Sequence, residues 1–138
     1  MAHKLETRLG VMMFLEYVIW GCWYPLLSRY LSDFLHFSGV DIAWIFGTLA
    51  IASVTAVLVS GQIADRYFAS ERFLAVSHLV GGLSMLALPF QKTFWPFFLF
   101  MLVHQLVYVP TLSITNSISF QHIKDPKEFG RVRLWGTI

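Results

Sequence analysis

Charge is what this sequence has least of. Only 13% of its 138 residues are Asp, Glu, Lys or Arg, where a soluble domain carries about 25%. That shortage, beside 57% hydrophobic and 17% aromatic residues, excludes a disordered tail and a typical water-soluble enzyme. Cysteine is nearly absent too. Cys22 is the single thiol, so neither an internal disulfide nor a Cys-based metal cluster can form. His3, His36, His78, His104 and His122 show no metal-ligand spacing. There is no zinc-helix motif, nucleophile elbow or glycine-rich phosphate loop. No metal and no cofactor is expected. A net charge of +2 is too small to point to nucleic acid.

What the chain does have is uncharged length. No charged side chain falls between Asp41 and Asp65, between Arg72 and Lys92, or between Lys92 and Lys124. Glu16 alone interrupts the stretch from Arg8 to Arg29. A helix needs about 20 apolar residues to cross a hydrocarbon core of about 30 Å. Lipid offers no water to unpaired backbone groups, so such stretches must be helical. The expected organisation is an all-α membrane protein in the lipid bilayer, with transmembrane helices near 9–31, 41–64, 72–90 and 94–121. A fifth helix is expected to start near 131. The first stretch is rich in large aromatics and has no small-residue cleavage site, so it reads as a permanent helix and not a signal peptide. Of the ten Lys and Arg residues, only Arg29 and Lys92 fall on one side of this topology. The positive-inside rule then places the N-terminus of a multi-pass cell-membrane protein in the cytoplasm. Because the last residues, Arg133 to Ile138, form an uncapped hydrophobic turn, residues 1–138 are expected to be an incomplete N-terminal bundle.

Several polar residues stand out against this apolar background. Glu16 lies mid-helix, where an ionised carboxylate is costly and usually faces a bundle interior or a water-filled path. It is a proton-coupling candidate; the plainer reading is one hydrogen bond to a neighbouring helix. Beyond Pro110 the fourth helix turns polar, with Thr111, Ser113, Thr115, Asn116, Ser117, Ser119 and Gln121. This half either lines a cavity or packs against other helices, and Asn116 is the leading contact because its amide both donates and accepts. Arg133 and Thr137 are spaced to share one face of the fifth helix. Arg133 is either a cytoplasmic anchor or an inward-facing donor to a polar solute. Ala52, Ala56 and Ser60 form a small-residue face that suits close helix approach. His78 and His104 are expected within the membrane, as proton relays or as single cross-helix hydrogen bonds.

The turn Gly61-Gln62-Ile63-Ala64-Asp65-Arg66 resembles the first half of the signature loop between helices 2 and 3 of the major facilitator superfamily. In that superfamily the loop clamps the two transporter halves on the cytoplasmic side, which implies a gating role for Gly61, Asp65 and Arg66. Three further runs resemble one branch, the nucleoside:proton symporter family. They are Phe14-Leu15-Glu16-Tyr17 with Trp20-Gly21-Cys22-Trp23, then Tyr108-Val109-Pro110-Thr111-Leu112 with Asn116, and Arg133-Leu134-Trp135-Gly136-Thr137-Ile138. They occur in the family's order over nearly the whole chain.

The resemblance implies four helices and the start of a fifth from the N-terminal six-helix half of a major facilitator transporter, the remaining C-terminal helices being missing. It implies proton-driven nucleoside uptake by alternating access, with Arg133 and Thr137 contributing to the nucleoside pocket. It does not assign the proton to Glu16, because some family members carry Gln there. Three alternatives compete with it: another major facilitator solute transporter, a small dimeric exporter with a Glu in its first helix, and a small non-transporting membrane subunit. An enzyme is not expected, since no nucleophile–base pair can be named.

Overall fold

The computed structural model describes residues 2–66, 70–123 and 126–136, with side chains over 6–57, 71–123 and 129–136. All regular structure among them is helical. The first helix, α1 (Ala2–Arg29), continues through Pro25 and widens into a π-helical turn at Tyr30–Phe34. It is followed by α2 (Gly39–Arg66) and α3 (Ser70–Ala87), which tightens into a 3-10 turn at Leu88–Phe90. Then come α4 (Phe94–His122), which passes through Pro110, and the short α5 (Pro126–Leu134).

Among the described residues, four segments are long and apolar enough to cross a membrane: Glu6–Phe34, Gly39–Val57, Glu71–Phe90 and Phe94–His122. Much of their surface is apolar and exposed, as at Leu26, Val54, Leu86 and Phe90, which suits lipid as the surrounding solvent. The fold is thus all-α, with four candidate spans and a short fifth helix.

Local sequence explains the helix ends. Ser38 and Asp41 cap α2 reciprocally: the Ser38 amide and hydroxyl donate to Asp41 Oδ2 at 3.1 and 2.7 Å, and the Asp41 amide donates to Ser38 Oγ at 3.2 Å. This is a capping box with Asp in the place of Glu. Before it, the π turn closes when the Phe37 amide reaches back to the Leu31 carbonyl at 3.0 Å. That return requires a left-handed residue, here His36 with φ 54°. The fifth helix begins at Pro126 and not near 131. Proline fits a first helical position, where no intrahelical N–H bond is required. Arg131 and Arg133 therefore occupy the last turn of α5, where cations meet the negative end of the helix dipole.

The chain divides into two compact units. The larger, residues 28–114, buries Ile45, Thr48, Ala52 and Ala56 along one stripe of α2. The two alanines of the small-residue face are thus in the core; the Ser60 side chain lies outside the described residues. Gly81 of α3 lets His104 of α4 approach closely, and His104 Nδ1 lies 3.1 Å from the Gly81 carbonyl oxygen. A carbonyl can only accept, so Nδ1 carries the proton. At one end of this unit Phe37 packs edge-on against Phe97, with ring centroids 6.0 Å apart.

Several hydroxyls within the spans bond to their own helices. Thr48 donates to the Ile45 carbonyl at 2.6 Å, Ser53 to Leu49 at 2.8 Å, and Ser84 to Val80 at 2.9 Å. Such back-bonding satisfies a polar group where no water is at hand.

Candidate functional site

The smaller unit, residues 1–27 and 115–138, contains most of the residues to which the sequence assigned chemistry. On α1, Leu9, Met13 and Glu16 recur at helical spacing and are all buried. Glu16 is only 2% exposed, and the Thr115 hydroxyl of α4 donates to its Oε2 at 3.4 Å. Thr115 is itself 1% exposed. This mid-span carboxylate therefore faces the interior of its unit and is tied to a second helix, as the cost of burying a charge demands. Sequence reading placed Thr115 only among a group of polar residues. Its pairing with Glu16 has no local signal.

The polar half of α4 resolves into distinct roles. Thr111, Thr115 and Ser119 follow one another at four-residue spacing and are buried. Ser119 donates to the Thr115 carbonyl at 2.9 Å. Thr111 likewise donates to the Tyr108 carbonyl, so these two hydroxyls bond to their own helix while Thr115 between them reaches across to Glu16. Ser113 and Ser117 are exposed, and Asn116 is half-buried beside Thr115.

The short α5 is held against its neighbours by aromatic rings. Phe129 stacks on Phe120 with centroids 4.0 Å apart and planes 19° off parallel. The turn after α5 is closed by the Gly136 amide, which donates to the Arg133 carbonyl at 3.0 Å. Two glycines make the contact with α1 possible. A Cβ on Gly10 would lie 2.8 Å from Trp135 Cδ1, and one on Gly136 would lie 2.6 Å from Tyr17 Cδ2. Either side chain would collide, so each glycine seats an aromatic ring from the other element.

Beside these contacts opens a cleft of about 460 Å³. Phe14, Tyr17, Val18, Trp20, Gly21 and Cys22 line it from α1, and Trp135 and Gly136 line it from the turn. Trp20 is braced by Tyr24, with ring centroids 4.9 Å apart. Sequence reading missed this cleft. Glu16, Asn116 and Arg133 are not among its lining residues. Arg133 is exposed in the last turn of α5. Thr137 lies outside the described residues, as do the side chains of Asp65 and Arg66; the backbone of Gly61, Asp65 and Arg66 forms the end of α2. The structure therefore joins Glu16 to Thr115, and α1 to the turn after α5. Arg133 is exposed, whereas Glu16 is buried.

Four apolar spans with one carboxylate buried between two helices define a multi-pass membrane protein. Comparison with known proteins narrows this class. Residues 3–138 match the family described as Nucleoside H+ symporter, and the chain belongs to that family, which is one of transporters and not of enzymes. It is 39% identical to YegT of Escherichia coli (strain K12) over 98% of its own length and 32% of that protein's. It is 33% identical to the xanthosine permease of the same organism, over 98% of this chain and 34% of the permease. The crystal structure of the nucleoside transporter NupG superposes with a TM-score of 0.89 at 28% identity, over 96% of this chain and 34% of NupG. The chain thus spans about a third of the length of the relatives it matches.

Proposed function

We propose that residues 1–138 act as the N-terminal portion of a proton-coupled nucleoside symporter that works by alternating access, with the N-terminus in the cytoplasm. The observation that carries this reading is the family match over residues 3–138, joined to a carboxylate, Glu16, that is 2% exposed at the contact of α1 and α4. Glu16 is the proton-coupling candidate. Arg133, Thr137 and Asn116 are the proposed nucleoside contacts. Gly61, Asp65 and Arg66 form the proposed cytoplasmic gating loop, and helices beyond this portion complete the pathway. The asymmetry of Lys and Arg supports the orientation.

The test is uptake of labelled uridine by cells that make the complete transporter containing this chain. Uptake should collapse with an uncoupler and in Arg133→Ala, and should lose its dependence on the proton gradient in Glu16→Gln. Uridine uptake indifferent to both the uncoupler and Arg133→Ala would refute the reading. A cysteine-accessibility assay on residue 3 in sealed, oriented membranes checks the topology: labelling from the cytoplasmic face is expected.

A further inference from the structure

We propose that an aromatic rim at one end of the larger unit, formed by Phe34, Phe90 and Trp95, docks in the headgroup and ester layer of a zwitterionic phospholipid leaflet. This inference goes beyond the symport reading and stands whether or not that reading does. The two short connections of the unit, residues 35–38 and 91–93, meet at this end. Phe37 of the first packs edge-on against Phe94 and Phe97 at the start of α4, with ring centroids 6.4 and 6.0 Å apart. Tyr30 lies 6.5 Å from Phe97 in the same cluster. Outside these rings Phe34, Phe90 and Trp95 are 74, 80 and 69% exposed.

Each of the three rings belongs to a different helix end. Phe34 closes the π turn after α1, Phe90 closes the 3-10 turn after α3, and Trp95 lies in the first turn of α4. They share a level and not a helix face. A partner protein covers one face, whereas the membrane interface meets every helix at the same depth. The rings are also held before they meet it. Phe34 stacks on Tyr30 with centroids 5.9 Å apart, and Trp95 lies edge-on to Phe94 and Phe98 at 5.3 and 6.3 Å. Water is a poor solvent for rings held out in this way, and hydrocarbon offers the Trp95 indole N–H no acceptor. The interfacial layer serves both, since its ester and phosphate oxygens accept the N–H while the upper chain segments cover the rings.

The charges at this end decide which lipid fits. From Ser28 to Trp44 and from Ala87 to Phe97, the charged residues are Arg29, Asp33, Asp41 and Lys92, two of each sign. Arg29 Nε and Asp33 Oδ2 pair at 3.2 Å, and Asp41 Oδ2 accepts from the Ser38 amide and hydroxyl. The rim therefore carries no net charge, and an anionic headgroup gains nothing there over a zwitterionic one. Lys92 is exposed in the connection between Phe90 and Trp95. A lysine so placed runs its stem along apolar surface and meets a phosphate with its ammonium.

The test is fluorine NMR of the complete transporter containing this chain, labelled with fluorotryptophan and reconstituted in phosphatidylcholine vesicles. The Trp95 resonance is the one lost in Trp95→Phe, which keeps an aromatic ring. A phosphatidylcholine with a nitroxide on its headgroup should broaden this resonance severalfold more than one with the nitroxide at the chain end, and more than a water-soluble gadolinium chelate. Phe90→Trp adds a resonance that should show the same order. Replacing part of the phosphatidylcholine by phosphatidylglycerol should leave the Trp95 broadening unchanged. A Trp95 resonance that neither lipid probe broadens overturns the proposal and means that further helices cover the rim. Strongest broadening by the chelate, or by the chain-end probe, overturns it by placing the ring in water or in hydrocarbon. A different order at Phe90→Trp removes the shared level, and headgroup broadening that rises with phosphatidylglycerol overturns the zwitterionic assignment.

Discussion

Replacing Gly136 by alanine puts a methyl carbon 2.6 Å from Tyr17 Cδ2 and 2.9 Å from Cε2. Favourable carbon–carbon contacts lie at roughly 3.5–4.0 Å, so ring and turn must separate by about 1 Å. The turn has little room to retreat. The same methyl would stand 3.4 Å from the Arg133 carbonyl oxygen, which already accepts the Gly136 amide at 3.0 Å. Overpacking of this kind costs about 1–3 kcal/mol. Gly47 is the control: it lies within α2, and a Cβ there meets nothing within 4 Å. Alanine at that position should stabilise by about 0.5–1 kcal/mol, because glycine weakens a helix interior.

The assay is unfolding of the reconstituted chain by titration with sodium dodecyl sulfate, followed by helical circular dichroism. Gly136→Ala should lose about 1–3 kcal/mol and Gly47→Ala should gain. A Tyr17→Ala background removes the obstructing ring, so Gly136→Ala should cost less than about 0.5 kcal/mol there. Gly136→Ala as stable as the parent, or a cost unchanged by Tyr17→Ala, would refute the seating of Tyr17 on Gly136.

Three further outcomes follow from contacts elsewhere, each measured by the same titration. Ser38→Ala removes the hydroxyl that caps α2 and should cost about 1 kcal/mol. His36→Gly relieves a left-handed backbone with φ 54°; it should stabilise by about 0.5–1 kcal/mol, since a side chain strains that conformation. Thr115→Val keeps the shape but removes a donor 3.4 Å from Glu16 Oε2. At that length the contact is weak, and the loss should stay near the lower end of the 0.5–1.5 kcal/mol range, about 0.5 kcal/mol.

The spans were legible because charge is so costly in hydrocarbon that its absence between Asp41 and Asp65, or Lys92 and Lys124, marks a helix by itself. The interior position of Glu16 followed from the same cost. Its partner was not legible. Thr115 lies 99 positions away, and nothing in a serine- and threonine-rich half-helix distinguishes the hydroxyl that meets a carboxylate from those that bond to their own backbone. The start of α5 was legible but was missed, because Pro126 is a helix-start signal and Arg131 drew the reading instead. The cleft was beyond reach for a further reason. It exists only because a short helix brings Trp135 to Gly10 and Gly136 to Tyr17, and no periodicity within either segment encodes that meeting.

The glycine seats also explain how an apolar cleft can persist in a membrane. Lipid tails solvate leucine as well as another helix does, so helices there cohere by close packing and a few polar contacts more than by hydrophobic burial. In the smaller unit they include the ring contacts at Gly10 and Gly136, the stack of Phe120 on Phe129 and the bond from Thr115 to Glu16. The contacts that hold Tyr17 and Trp135 in place are therefore the ones that shape the cleft between them. A substitution at either glycine that loosens the turn from α1 should therefore widen the cleft as it lowers stability. A change at Trp20, which Tyr24 braces from within α1, should leave the seating of the turn intact.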